Sequence, residues 1–147
     1  MSSPDYVSRS SSKGRLWAHI VFKVKYCHSV FDFEDIKTDC EQLLTEAARK
    51  VSIEIGAIGF DSNHVHLTAD IALSSVPEVA KALKGYTAKR LFQHHPWLKR
   101  RFFWGSGFWN PGTFYESVGR HSLEQTQKYV RNQGLNKQQS TLLSYAN

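Results

Sequence analysis

This sequence has few of the features that are typical of secreted and membrane proteins. It has only two cysteines, Cys27 and Cys40, and their spacing fits no common metal motif, so we expect a reduced pair rather than a disulfide framework. No apolar run is long enough to span a membrane, and the N-terminus lacks the apolar core of a signal peptide. These absences argue against a membrane protein or a disulfide-stapled secreted domain, and we expect a cytoplasmic protein.

Acidic residues are also in short supply. The chain has 13 Asp and Glu against 19 Lys and Arg, which gives a formal net charge of +6. This balance favours a polyanionic partner such as nucleic acid, although charge governs encounter and not fold. The 147 residues, 41% of them hydrophobic, suit one globular domain. We place that domain at residues 15–134, between a flexible N-terminal tail at 1–14 and a polar C-terminal tail at 135–147.

Local periodicity predicts a chain of mixed α and β structure. Strands are predicted at 15–26, 51–60 and 61–71, with two short strands at 101–109 and 113–117 around the turn Asn110-Pro111-Gly112. Helices are predicted at 32–50, 75–92 and 122–134. The order strand, helix, strand, strand, helix, strand predicts an α+β, ferredoxin-like (RRM-like) fold. This is an antiparallel sheet with helices on one face, here with an added C-terminal helix that carries a tyrosine.

The two long helices each have one apolar side. Their predicted packing residues are Ile36, Cys40, Leu43, Leu44 and Ala47 in the first, and Val76, Val79, Ala80, Leu83, Thr87 and Leu91 in the second. In the strand between them, alternation puts Ala57 on the same inward face as Ile53 and Ile55. In the C-terminal helix, Ser122 and Gln125 fit a capping box.

The first strand has one face of mixed character, made of Trp17, His19, Val21, Lys23 and Lys25. Such a face can hold single-stranded nucleic acid by base stacking and phosphate contact. It can equally be a solvated sheet face with one covered tryptophan. This segment alone does not separate the two interpretations.

The segment at 61–71 has the most distinctive pattern. The turn formers Asp61, Ser62 and Asn63 precede a strand in which His64 and His66 point to the same face. Neutral imidazoles commonly bind divalent metals, and two on one strand face can share an ion. An isolated pair of this kind also fits one packed and one solvated histidine, so a third group is needed to decide.

The C-terminal helix offers that third group. Gln125, Tyr129 and Gln133 are spaced four residues apart and therefore lie on one polar face. If this face lies on the sheet beside the histidines, the amide oxygen of Gln133 can be a third metal ligand, with Tyr129 one turn away. A metal held in this way can polarise a phosphodiester for attack by a phenol. The alternative is that Tyr129 is an ordinary surface residue.

Basic side chains recur beside aromatic ones, which raises the odds of a nucleic-acid surface. A charge run of this kind is also typical of a merely solvated face. The residues expected to contact DNA are Lys23, Lys25, Lys84, Lys89, Arg90, Arg100 and Arg101.

The ordered set of motifs resembles one family, the HUH single-tyrosine transposases of the insertion-sequence-200/605 family. The motifs are His64-Val-His66, Lys84-Gly-Tyr-Thr-Ala88, Phe103-Trp-Gly-Ser-Gly107, Ser117-Val-Gly119 and Tyr129-Val-Arg-Asn-Gln133. The resemblance covers roughly residues 15–134, which would then be a single transposase domain. One position departs from the pattern: Asn63 stands where the family often has Asp, which leaves Asp61 as the nearby carboxylate.

The resemblance implies a homodimer that cuts and rejoins single-stranded DNA with hairpins at the element ends. It implies that Tyr129 is the nucleophile, forming a 5′-phosphotyrosine, and that His64, His66 and Gln133 hold Mg²⁺ or Mn²⁺. In this family the tyrosine helix often packs on the other subunit, and Gly119 lies where the hinge would be. Two alternatives stay open: a non-catalytic single-stranded nucleic-acid binding domain, and a repeat-associated tyrosine transposase or nickase.

Overall fold

The computed structural model describes residues 7–9, 12–72, 74–119 and 122–134. Within these ranges the strands are β1 (Val7–Arg9), β2 (Ser12–Gly14), β3 (Trp17–Val24), β4 (Glu54–Asp61), β5 (His64–Asp70) and β6 (Trp109–Ser117). The helices are α1 (Glu34–Lys50), α2 (Val76–His94), α3 (Pro96–Leu98) and α4 (Leu123–Arg131). Short 3₁₀ turns lie at Lys25–Cys27 and Val30–Asp32, and a π-helical turn lies at Lys99–Phe103.

The main sheet confirms the predicted ferredoxin-like fold. Its strand order is β4-β5-β3-β6, and every neighbouring pair is antiparallel. A separate two-stranded ladder of β1 and β2 lies inside the segment predicted to be an N-terminal tail. The predicted C-terminal tail at 135–147 lies outside the described residues. Among the helices of the described ranges, none has the length and hydropathy needed to cross a membrane.

The hydrophobic core lies between one face of the sheet and helices α1 and α2. As alternation predicted, β3 contributes Ala18, Ile20, Phe22 and Val24 to this face, and β5 contributes Val65, Leu67 and Ala69. The predicted stripes of α1 and α2 are buried as well, Thr87 included. Removing such side chains from water contributes roughly 1.5–3 kcal/mol each, which holds both helices on the sheet.

One prediction about β4 is wrong because the strand contains a bulge. Ile55 pairs with Ala69, but Ala57 pairs with Thr68, so the register shifts at Gly56. The extra residue moves Ala57 to the sheet face opposite Ile55. Every later residue of β4 changes face with it.

The predicted strand at 101–109 is also wrong. Lys99–Phe103 forms a π-helical turn, and the chain then passes through Trp104 in the left-handed region, with φ 49°. The single strand β6 begins only at Trp109 and runs on to Ser117.

The turn predicted at Asn110-Pro111-Gly112 is a bulge within β6. Trp109 pairs with Val24 and Thr113 pairs with Phe22, so the three residues between them have no place in the ladder. Proline is tolerated here because β6 is an edge strand, where the missing N–H leaves no neighbour unpaired.

Helix α4 lies on the sheet face opposite α1 and α2, where it contacts β4 and β5. The capping box predicted for it is not formed, because the Ser122 hydroxyl donates to the carbonyl of Gly119 at 3.3 Å. On this face Trp17, His19 and Val21 are buried, and Lys23 is exposed. Buried rings cannot stack on bases, so the predicted aromatic binding face is absent from the described chain.

Candidate active site

The two histidines of β5 lie on the face covered by α4. The ring centroids of His64 and His66 are 4.9 Å apart, and His66 is only 1% exposed. Burial, assisted by the neighbouring imidazoles, lowers the pKa of His66 to about 3. Burial also lowers the pKa of His64, although the charge of Asp61 acts in the opposite direction. Both rings are therefore neutral at pH 7, which is the form that binds metals.

The hairpin turn before β5 orients His64. Its Nδ1 lies 2.7 Å from the side-chain oxygen of Asn63. An amide oxygen only accepts, so Nδ1 carries the proton and Nε2 keeps its lone pair. The Asp61 carboxylate accepts the N–H of Ser62 at 2.8 Å and so stabilises the turn. Asn63 thus contacts the ring of a candidate ligand, and Asp61 shapes the loop that presents it.

Helix α4 brings Tyr129 and Gln133 to the histidines of the same chain. The Tyr129 ring centroid is 6.0 Å from those of His19 and His66. Gln133 is buried at 7% exposure. Gln125, which begins the same face of the helix, is exposed. Of the three residues with four-residue spacing, Tyr129 lies beside the imidazoles and Gln133 forms a side-chain hydrogen bond with Tyr129.

Glycine 59 is what lets α4 approach so closely, and sequence reasoning missed it. A Cβ at this position would overlap the carbonyl oxygen of Val130 and lie 3.3 Å from the Cβ of Gln133. Gly59 pairs with His66 across the ladder. A glycine inside a predicted strand is a known sign of close backbone approach, and that signal was present in the sequence.

Tyr129 has the properties of a phenol that needs activation. Burial raises its pKa above the ordinary value near 10, Gln133 acts against that shift, and the charge of Glu116 adds to it. The hydroxyl is therefore protonated at neutral pH. A protonated phenol is a weak nucleophile, so attack requires that the reacting phosphorus be made more electrophilic or that the proton be removed.

The residues present fit a divalent cation. Two buried acceptors, Nε2 of His66 and Oε1 of Gln133, have no hydrogen-bond partner among the described residues. Leaving a buried polar atom unpaired costs about 1–3 kcal/mol, which a cation would offset. No group of three His, Cys, Asp or Glu in the described ranges is arranged for a metal. A donor set of three in the described ranges would therefore need another kind of ligand, such as the amide oxygen of Gln133.

Two further residues reach this site and were not predicted. Nε2 of His19 lies 2.9 Å from Nδ1 of His66. Nδ1 of His19 lies 3.7 Å from a carboxylate oxygen of Glu116. His19 shares a strand face with Lys23, but only the strand register reveals that it meets His66.

The residues expected to contact DNA fall into separate regions. Lys23 is exposed and pairs in register with His64, so it lies on the site face at the same end of the sheet. Lys25 lies just after the end of β3, and its ammonium is 5.6 Å from the ring centroid of Tyr26. Arg101 stacks on Phe102 at 5.0 Å.

The basic residues of α2 belong to the helical layer on the other face. The Lys84 ammonium donates to the carbonyls of Asn110 and Gly112, each at 2.9 Å, and burial lowers the pKa of Lys84. Lys89 is exposed, and Arg90 lies 5.3 Å from the ring centroid of Tyr86.

Arg100 lines a separate cavity near the π-helical turn. This cavity measures about 550 Å³ and is also lined by Phe92, Pro96 and Trp104. Trp104 is 86% exposed. Arg100 thus lies beside an exposed aromatic ring, in a part of the chain distinct from the histidine pair.

Comparisons with known proteins relate this chain to transposases. Residues 12–133 match the family model described as IS200-like transposase. The ISDra2 transposase TnpA of Deinococcus radiodurans is 32% identical over 116 residues, which span 78% of this chain and 81% of that protein. A crystallised protein of Deinococcus radiodurans assigned as a transposase superimposes with a TM-score of 0.66 at 29% identity, over 91% of this chain and 98% of that one. A REP-associated tyrosine transposase bound to a REP hairpin shares the fold, with a TM-score of 0.55 at 16% identity, over 88% and 70% of the two chains.

Proposed function

The chain belongs to the family of IS200-like transposases, and on that premise we propose that it cleaves and rejoins single-stranded DNA at the hairpin-bearing ends of an insertion element. The observation that supports this most directly is that Tyr129 lies beside His66 and hydrogen-bonds Gln133 in one chain. The fold relative solved with a bound REP hairpin supports a hairpin as the class of substrate.

We propose that Mg²⁺ or Mn²⁺ is held by His64, His66 and Gln133. Nε2 of His66 and Oε1 of Gln133, which are among the buried acceptors without a hydrogen-bond partner in the described ranges, support this donor set. A carbonyl-type oxygen is the kind of ligand that suits such ions, and neutral imidazole is a common ligand of metals in general. When bound, the ion supplies Lewis-acid polarisation of the scissile phosphodiester.

The chain's own residues carry out the transfer. The phenolic oxygen of Tyr129 attacks phosphorus, an O–P bond forms to tyrosine, and the bond from phosphorus to the 3′ oxygen breaks. The phenol gives up its proton, and the departing 3′ oxygen takes one up as a hydroxyl. Because one phosphoester replaces another, the 5′-phosphotyrosine keeps the bond energy for rejoining, when a 3′ hydroxyl attacks in reverse.

We propose that the basic side chains hold the DNA strand around this site. Lys23 is exposed on the site face in register with His64, which suits a phosphate next to the scissile bond. The rest of the substrate would be held by the other basic residues, namely Lys25, Lys89, Arg90, Arg100 and Arg101. Lys84 is proposed only as a minor contact, because its ammonium already donates to backbone carbonyls.

We further propose that the protein acts as a homodimer in which Tyr129 works beside the histidines of its own chain. The packing of α4 on its own sheet supports the second part. The edge strand β6 has exposed Phe114 and Tyr115, which supports an interface there. Mixing Tyr129→Phe with His66→Ala tests the second part: restored cleavage in the mixture would mean that the two residues act across subunits.

The decisive experiment detects the covalent intermediate. Wild-type protein is incubated with Mg²⁺ and a labelled single-stranded oligonucleotide that bears a hairpin, and a stable protein–DNA adduct is expected. Tyr129→Phe should form no adduct while still binding the oligonucleotide, whereas the matched control Tyr115→Phe should react normally. If Tyr129→Phe still forms the adduct, the nucleophile is wrongly assigned. Binding without any adduct or metal dependence would instead support a non-catalytic binding domain.

A further inference from the structure

Three side chains form a row across the sheet behind the candidate metal site. Glu116 of β6 pairs with His19 of β3 in register, and His19 reaches His66 of β5. The two gaps are 3.7 Å from Glu116 to Nδ1 of His19 and 2.9 Å from Nε2 of His19 to Nδ1 of His66. His19 is 7% exposed and His66 is 1% exposed, so water does not compete freely for the contact between the two imidazoles.

The proton between the two imidazoles can belong to either ring. In the first arrangement Nδ1–H of His66 donates to Nε2 of His19, so the His19 proton sits on Nδ1 and faces the Glu116 carboxylate. In the second, Nε2–H of His19 donates to His66, whose own proton must then sit on Nε2. Each neutral ring carries one proton, so no other combination makes this hydrogen bond.

The Glu116 end of the row selects the first arrangement. The second would turn the Nδ1 lone pair of His19 towards a carboxylate, which can only accept. The first arrangement gives the carboxylate a donor and leaves Nε2 of His66 as a bare lone pair facing the site.

We propose that Glu116 and His19 are positioning residues that set the tautomer of His66, so that its Nε2 is ready to bind the metal ion. This inference rests on the proposed function, because it assigns the proposed metal as the group that Nε2 awaits. Asn63 has the same role for His64, because its side-chain oxygen accepts the Nδ1–H of His64. His64 and His66 thus each donate the Nδ1–H to a separate acceptor, as metal-binding histidines usually do with the ring nitrogen that does not bind the metal.

The first experiment reads the tautomer without metal or DNA. A long-range ¹H–¹⁵N correlation spectrum of the full-length, metal-free protein at pH 7.5 distinguishes protonated from bare ring nitrogens. Loss of signals in His66→Ala and His19→Gln assigns the two rings. We expect protonated Nδ1 and bare Nε2 in both rings. A proton on Nε2 of His66 would overturn the proposal.

The second experiment measures Mn²⁺ affinity by calorimetry. His19→Leu removes the acceptor and should weaken Mn²⁺ binding by roughly 10- to 100-fold. His19→Gln, whose amide oxygen can still accept, should stay within about threefold of the wild type, a rescue that a purely structural role would not give. Unfolding midpoints in EDTA identify any variant that has lost its fold. Equal losses in the two variants, both folded, would overturn the proposal.

Glu116 offers a test that does not disturb the interior, because its side chain is 64% exposed. Glu116→Ala should weaken Mn²⁺ binding by about 3- to 10-fold. The matched control Glu41→Ala removes an equal charge from an exposed position on α1 and should leave the affinity unchanged. If both substitutions changed the Mn²⁺ affinity equally, the effect of Glu116 would be one of general charge, and its positioning role would be overturned.

The outcomes separate this inference from the proposed function. An intact covalent adduct together with the wrong His66 tautomer overturns the positioning role alone. A wild-type protein that binds no Mn²⁺ overturns the metal chemistry itself, and with it the reason for the positioning role.

Discussion

The substitution Gly59→Ala tests whether the close approach of α4 to the sheet sets the geometry of the site. A Cβ at residue 59 would overlap the carbonyl oxygen of Val130 and lie 2.7 Å from its carbonyl carbon. Carbon atoms pack at about 3.5 Å or more, so a gap of about 0.8 Å must open. Both partners are backbone groups that cannot rotate aside. We therefore expect α4 to shift by about 1 Å or more.

A shift of that size is large compared with what the site tolerates. Metal–ligand distances are held within about 0.2 Å, so the amide of Gln133 would move out of reach of the proposed metal ion. A misplacement of about 1 Å typically costs on the order of 100-fold in rate. Adduct formation by Gly59→Ala should therefore slow by about 100-fold. The core beneath α1 and α2 is on the opposite face, so the loss of stability should be limited to about 1–3 kcal/mol.

The assay is a time course of adduct formation with the hairpin oligonucleotide in Mg²⁺. The matched control is Gly85→Ala in α2, where an added Cβ meets no described atom within 4 Å. That substitution should react at the wild-type rate and raise stability by up to about 1 kcal/mol through helix propensity. A folded Gly59→Ala protein that reacts at the wild-type rate would refute the reasoning, because α4 would not then need this approach to the sheet.

Two further predictions concern stability. Folded His66, with its pKa lowered to about 3, stays neutral where an unfolded histidine binds a proton near pH 6.5. The unfolded state thus binds more protons between these values, and the free energy of unfolding should fall as pH falls below 6.5, by up to about 1.4 kcal/mol per pH unit for this residue. Urea titrations of metal-free protein from pH 7.5 to 4.5 should show a shallower decline for His66→Gln, and an unchanged decline would contradict the assignment. Lys84→Met removes the donor to the β6 bulge and should cost about 1–2 kcal/mol in urea unfolding. Lys89→Met, at an exposed position of the same helix, should cost less than about 0.5 kcal/mol, and equal costs would show that the Lys84 hydrogen bonds contribute nothing.

The features that the sequence predicted correctly depend on backbone periodicity. Side chains alternate along any strand, so His64 and His66 share a face whatever the strand pairs with. Helical spacing likewise predicted that Tyr129 and Gln133 lie close together, which holds although α4 ends at Arg131 and Gln133 lies in the turn after it. The buried stripe of α2, Thr87 included, follows from the same rule. Each of these relations spans only a few residues and needs no knowledge of the rest of the chain.

The features that were predicted wrongly or missed depend on contacts between residues that are far apart in the chain. The bulge at Gly56 reverses the faces of β4, and only pairing with β5 reveals it. The segment Asn110–Gly112 forms a bulge within β6 and not a turn between two strands. Lys84 of α2 donates to its carbonyls, and the position of β6 at the sheet edge tolerates the extra residues.

By itself, therefore, the sequence determined which residues could act together and which fold would hold them. Only the tertiary structure decided that α4 covers the histidine face of its own sheet, that Gly59 lies beneath Val130, and that Glu116 and His19 stand behind His66. The physical reason is that periodicity is a property of the local backbone, whereas strand register and helix docking are settled by packing between segments far apart in the chain.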